Sequence, residues 1–175
     1  LYTATEQLAE QPTTSSDKAE QLSIFAKNTL HELRRTVWFI NKDSVNLEEL
    51  QLKLKEYFNF LNQSPQLTIN MVLEADASKA IPSPKAAAIF RVAQEAVSNA
   101  IKHAVARRIE SSLTSVGPGN LQLTMTDDGK GFDTTKSVDG NGLKNMQLHA
   151  NSTKGSIALT SSKKGTRIIL TLPLE

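Results

Sequence analysis

An α/β fold class follows from three observations on this 175-residue sequence. From Leu47 onward, stretches with helical periodicity alternate with short strand-like runs. Two polar motifs, EAVSNAIKH at Glu95 to His103 and DDGKGFD at Asp127 to Asp133, fall on one of those helices and directly after one of those strands. A long helical stretch precedes both. One α/β domain with a helical arm ahead of it is the simplest arrangement.

The chain divides near Ser44, giving a region 1–44 and a region 45–175. Residues 1–10 read as the last turns of a helix, QPTTSS at 11–16 as a turn, and Asp17 to Asn41 as a long helix, together a partial helical hairpin. Leu22, Ile24, Phe25, Thr29, Leu30, Leu33, Val37 and Ile40 form a stripe broader than a solitary surface helix needs, so a helical bundle is expected. The second region opens with a helix at Leu47 to Asn62, periodic through Leu50, Leu54, Tyr57, Phe58 and Leu61 and broken by Ser64 and Pro65. LTINMVLE, ending at Glu74, alternates as a strand. Pro82 and Pro84 then precede a helix from Ala86 to Val105, with Ile89, Ala93, Ala96, Val97, Ala100, Ile101 and Ala104 expected to bury it against a sheet. Arg108 to Val116 and Leu121 to Thr126 are strands joined by GPGN, a hairpin. Leu143 to Ala150 reads as a short helix, and SIALTSS and RIILTLPL close the chain as two strands around KKG.

Composition excludes several functions. A net charge of +2, with no Lys/Arg cluster interleaved with aromatics, argues against direct nucleic-acid binding. The absence of cysteine excludes disulfides, thiolate metal ligands and a cysteine nucleophile. No apolar run of about eighteen residues is present, so any membrane contact is expected only through segments outside this chain. The opening LYTATEQ lacks a methionine, and the chain is expected to be a piece of a longer protein.

On a helix, Glu95, Asn99 and Lys102 fall at i, i+4 and i+7, so a carboxylate, an amide and an ammonium share one stripe. Asp127 closes a strand just before Gly129 and Gly131. Together the two motifs suggest a nucleotide site. From Leu47 to Glu175 the chain resembles the ATP-binding catalytic domain of sensor histidine kinases, within the wider GHKL group that includes gyrase, an ATP-dependent chaperone and mismatch-repair ATPases. In that family the helix bearing Asn99 is the asparagine box, DDGKG the first glycine box, GNGLKNM at Gly140 to Met146 the second, and KGTRIILTLP the closing strand with Gly165 and Thr166 on its phosphate side. QEAVSNAIKHA and the short lid between Phe132 and Gly140 look most like the subgroup that pairs with response regulators carrying a helix-turn-helix output domain. ELRRTVWFINKDSVNLEEL, Glu32 to Leu50, resembles the end of the second dimerisation helix and its link to the catalytic domain.

The resemblance implies the Bergerat ATP-binding fold: a two-layer α/β sandwich with a mixed, mainly antiparallel sheet, here preceded by the partial hairpin. It also implies the substrate ATP with Mg²⁺, a homodimer in the full-length protein, and the cytoplasmic portion of a membrane-bound bacterial sensor. Its activity would be transfer of the ATP γ-phosphoryl group to a histidine and thence to a response regulator. The family's acceptor histidine lies on the first dimerisation helix. His31, in LHELRR, falls on the second, so the acceptor is expected upstream of Leu1 and none is assigned within the chain. The chain alone is then expected to be inactive in autophosphorylation.

Residue chemistry runs parallel to the resemblance. A strand-end carboxylate accepts a hydrogen bond from the exocyclic amine of adenine, where guanine presents an oxygen, so Asp127 is the adenine selector. Gly129 and Gly131 permit close backbone approach beside it. Asn99 offers a neutral oxygen to Mg²⁺, a hard ion that shares its shell with substrate phosphates and water. Lys102 and Lys144 are candidates to neutralise phosphate oxygens, and Gly140, Gly142 and the helix start at Leu143 to offer them backbone amides. Glu95 is the candidate catalytic residue by resemblance, activating water or the accepting group; orienting metal-bound water or Lys102 is the other reading. His103 also has more than one reading, orienting its helix or bordering the phosphates, or acting as acid or base, and His149 is assigned a surface or packing role. Two competing functions share these boxes: a serine/threonine protein kinase of the anti-sigma type, and a noncatalytic ATP-binding regulatory module.

Overall fold

In the computed structural model the chain divides into two units, Leu1–Trp38 and Phe39–Glu175. The structure describes Ser23, Trp38, Phe39 and residues 41–61, 67–133 and 141–174. Of the first unit only Ser23 and Trp38 are described, both helical. Most of the expected hairpin, His31 included, and the expected lid after Asp133, with Gly140, lie outside the described residues.

The second unit runs β1 (Ser44–Asn46), α1 (Leu47–Leu61), β2 (Thr68–Glu74), β3 (Ala80–Pro82), α2 (Ser83–Asn99), a π-helical turn (Ala100–Ala104), β4 (Arg108–Val116), β5 (Asn120–Asp127), α3 (Gly142–Asn151), β6 (Ser156–Ser162) and β7 (Gly165–Pro173). Five strands form the main sheet in the order β2-β4-β5-β7-β6. β2 and β4 pair in parallel, which requires a crossover, and α2 supplies it. All other pairs in the sheet are antiparallel. The result is a mixed, mainly antiparallel sheet with helices packed on one face, as the sequence predicts.

Alternation explains which face is covered. Ile109 and Leu113 of β4, Leu121, Leu123 and Met125 of β5, and Ile168, Leu170 and Leu172 of β7 are buried. The residues between them, such as Thr124 and Arg167, are half-buried or exposed. The buried face meets Ile89, Val92, Ala93, Ala96 and Val97 of α2, and Leu50, Leu54 and Phe58 of α1 extend the same core. Phe90 joins the layers through rings 5.4 Å from Phe39 and 5.7 Å from Tyr57.

A second, two-stranded sheet pairs β1 with β3, Val45 opposite Ile81. The sequence reading does not include it, because three residues are too few to display a period of two. It fastens the starts of both long helices. The N–H of Ser83 donates to Asp43 O at 3.0 Å, that of Leu47 to Lys79 O at 3.1 Å, and Asn46 Oδ1 accepts from the Glu49 N–H at 2.7 Å. The last is a helix cap by the usual side-chain route.

The helix expected over Ala86 to Val105 differs in two ways. It begins at Ser83, with Pro84 inside the first turn, where a missing N–H costs nothing. Its last turn is π-helical: the Val105 N–H reaches back to Ala100 O, so five residues rather than four separate donor from acceptor. Ala100 and Ala104 stay buried, while Ile101, expected in the core, is 40% exposed. Val105 ends the turn with φ 55°, an uncommon conformation for a β-branched residue.

Candidate nucleotide-binding site

Asp127 ends β5, opposite Ile109 of β4. Its Oδ1 accepts the Gly129 N–H at 2.9 Å and the Thr166 N–H at 3.3 Å. Both donors hold the same oxygen, so Oδ2 has no hydrogen-bond partner among the described residues. The carboxylate stands on the wall of a small pocket. Ala96 and Ala100 of α2 and its π turn form one side, Ile109, Met125 and Ile168 of the sheet form the other, and Thr126 and Thr166 complete it. Alanine at 96 and 100 leaves a slot where a longer side chain would close it. A carboxylate oxygen with no partner among the described residues, beside an apolar wall, suits the amino group of a heterocycle.

Thr166 is buried, and its hydroxyl lies 3.0 Å from Ser161 Oγ. Ser161 Oγ also accepts the Phe132 N–H at 2.9 Å. With that lone pair occupied, Ser161 can donate to Thr166, which frees the Thr166 proton for a ligand. Ser161 thus stands directly behind Thr166, a contact the sequence reading passed over. Gly165 has φ +124°, and a Cβ there would overlap the Asp127 carbonyl. The close approach of β7 to the end of β5 thus depends on this glycine. At Gly129 and Gly131 the missing side chains make room for Ala104 and the Ser162 carbonyl, and the Lys130 N–H donates to Ala104 O at 3.0 Å.

The neighbouring Asp128 is a second finding that no sequence signal announced. Its Oδ1 accepts the backbone N–H groups of Arg107 at 2.8 Å and Arg108 at 2.9 Å. The bond from Arg108, foremost, holds this carboxyl below its ordinary value; desolvation opposes it, and the bond from Arg107 adds to the lowering.

On the same C-terminal turns of α2, Glu95 and Asn99 are both half-buried and both stand beside Gly142 at the start of α3. Lys102 and His103 project from the π turn and are exposed. On α3, Leu143 is half-buried and Lys144 exposed. His149 is half-buried, and its pKa is lowered, first by burial and then by the Arg91 charge, with the Glu95 carboxylate pulling the other way. The structure therefore brings Glu95, Asn99 and Gly142 together in one cluster and Asp127, Gly129, Ser161 and Thr166 in another. Among the described residues no cluster of three or more His, Cys, Asp or Glu could hold a metal ion. Glu95 and Asn99 each carry a side-chain oxygen of the kind a hard cation takes alongside phosphates and water. No helix among the described residues is long and apolar enough to cross a membrane.

The mixed, mainly antiparallel sheet with helices on one face is the Bergerat ATP-binding fold. Residues 85–175 match the histidine kinase-, DNA gyrase B-, and HSP90-like ATPases, and the chain belongs to this family. It is 30% identical over 176 residues to an uncharacterized sensor-like histidine kinase of Chloroflexus aurantiacus, covering 96% of this chain and 30% of that one. It is 27% identical over 150 residues to the signal transduction histidine-protein kinase/phosphatase DegS of Brevibacillus brevis, covering 85% and 38% respectively. The chain thus spans only 30% to 38% of the length of these relatives. Among solved structures, the Acinetobacter baumannii histidine kinase AdeS superposes with a TM-score of 0.65 at 16% identity, covering 99% of this chain and 91% of that one. The histidine kinase domain of the Erythrobacter litoralis EL346 blue-light activated kinase gives 0.59 at 22% identity, covering 76% and 64%. At these identities the likeness is one of fold.

Proposed function

We propose that this chain is the ATP-binding engine of a two-component sensor histidine kinase, with ATP held between the Asp127 slot and the α2–α3 end. The observation that carries this reading is the Asp127 carboxylate: one oxygen is pinned by two backbone N–H groups, the other has no hydrogen-bond partner among the described residues, and the residue lines a small, largely apolar pocket. In the transfer, the bond between the γ-phosphorus and the bridging oxygen of ADP breaks, and a bond from that phosphorus to an imidazole nitrogen forms. The imidazole proton leaves to a carboxylate, the role assigned to Glu95. Bound Mg²⁺, with Asn99 as a protein ligand, would supply charge neutralisation on the phosphates. Lys102 and Lys144 add positive charge there, and Gly142 and Leu143 offer N–H groups at a helix start. Positioning provides most of the remaining acceleration.

The acceptor histidine belongs to a helix upstream of Leu1, in a homodimer, and the phosphoryl group passes on to a response regulator with a helix-turn-helix output domain. The kinase names of the relatives and the motif wording support this placement. The test is labelled ATP supplied to this chain, to the chain extended by its natural upstream helix, and to the His31→Ala form of each. Acid-labile phosphate is expected on the extended chain only, and unaffected by His31→Ala. Phosphate on the shorter chain that vanishes with His31→Ala would make His31 the acceptor. None on the extended chain would favour the noncatalytic module.

A further inference from the structure

Gly142 opens α3, yet its backbone does not demand a glycine: unlike Gly131 and Gly165, it has no positive φ. Space is what the position lacks. A Cβ there would overlap Oε1 of Glu95 and stand 3.1 Å from Glu95 Cδ and 3.5 Å from Asn99 Nδ2. All three of its nearest atoms belong to these two side chains of α2. The Glu95 carboxylate therefore fills the volume that a side chain at 142 would take. Charge favours the same placement. The first turn of α3 carries no acidic residue, and Asn141 makes no side-chain cap, so the Glu95 carboxylate meets a helix start with no acid of its own.

We propose that Gly142 is a positioning residue for Glu95, its missing side chain reserving the space in which the carboxylate is held for the transfer. This rests on the reading of Glu95 as proton acceptor. The obstacle to a Cβ is the far end of a flexible side chain, so alanine at 142 costs the fold little: the Glu95 carboxylate swings to another rotamer. Alanine also keeps the N–H of residue 142. Nucleotide binding survives and the transfer step suffers.

The test uses two preparations. In the full-length kinase, Gly142→Ala is expected to slow histidine phosphorylation at saturating ATP by about tenfold or more, with the ATP Kd within about threefold of the parent, because a misplaced group costs rate rather than affinity. Glu95→Asp retracts the carboxylate by one methylene. Alone it is expected to slow transfer, but in the Gly142→Ala background it is expected to restore part of the rate. In the present chain, the Glu95 side-chain carboxyl carbon, observed by NMR, is expected to shift in Gly142→Ala while the fold's amide spectrum is retained. Equal fractional losses from Gly142→Ala with Glu95 present or replaced by Gln would overturn the proposal and assign Gly142 to the phosphates alone. An unmoved Glu95 carboxyl signal would overturn it too. If Glu95→Gln leaves transfer intact, the proton-acceptor reading fails by itself, and the carboxyl signal still decides whether residue 142 sets the place of that side chain.

Discussion

Replacing Asp127 by Asn separates two roles of one carboxylate. Oδ1 accepts two backbone N–H groups, from Gly129 and Thr166, and an amide oxygen can keep both. Retaining them turns the NH₂ of the new side chain to the Oδ2 position, where it faces the exocyclic amine of adenine, donor against donor. A hydrogen bond to a charged group is lost, about 1.5–3 kcal/mol, and a donor is left unpaired at about 1–3 kcal/mol more. Taking about 3 kcal/mol as the modest end of the sum, ADP affinity should fall on the order of 100-fold. Guanine presents an oxygen at the same place, so GDP should gain relative to ADP. Calorimetry with ADP and GDP on the parent and on Asp127→Asn measures both effects, with urea denaturation as the control for an intact fold. A parent that binds GDP as well as ADP, or a variant that loses less than about threefold for ADP, would refute the reasoning.

Two further outcomes test the frame around the site. Gly165→Ala should destabilise the domain by about 1–3 kcal/mol in urea, since φ +124° and the overlap with the Asp127 carbonyl both oppose a Cβ; an unchanged midpoint would show that β7 can back away from β5. Asp128 has a folded-state pKa below its ordinary 3.8, so its stabilising effect is complete above that value and is lost as pH falls through the lowered folded pKa. The stability difference between the parent and Asp128→Asn should therefore shrink on acidification below about pH 4, and a difference constant from pH 7 to pH 2 would contradict the bonds to Arg107 and Arg108.

What could be read from the sequence depended on length and period. α1, α2, α3 and the strands of the main sheet each run long enough to repeat an apolar position several times, and each forms where its pattern put it save for the ends of α2. The β1–β3 pair repeats nothing and stayed hidden until the chain was folded. A π turn has no sequence signature beyond the helix it interrupts, so Ile101 was counted inward by a period that no longer held. In the site, Asp127 and Asn99 stood out because their motifs place polar groups against an apolar background. Ser161 and Asp128 did not, because each acts through backbone N–H groups brought to it from 29 and 20 residues away, as the Phe132 and Arg108 bonds show. His149 offered no motif, and only packing against α2 reveals that the Glu95 and Arg91 charges reach it.

The strand order β2-β4-β5-β7-β6 places the last strand of the chain inside the sheet rather than at its edge. A ribosome delivers residues from the N-terminus, and β7 leaves the exit tunnel after every other strand. Until it does, β5 and β6 have no common neighbour, Asp127 lacks its Thr166 donor, and the slot has no Ile168 wall. The pocket wall and the Asp127 partner that β7 supplies therefore form only once β7 has paired, and a ribosome stalled short of Gly165 would display β5 with an unpaired edge.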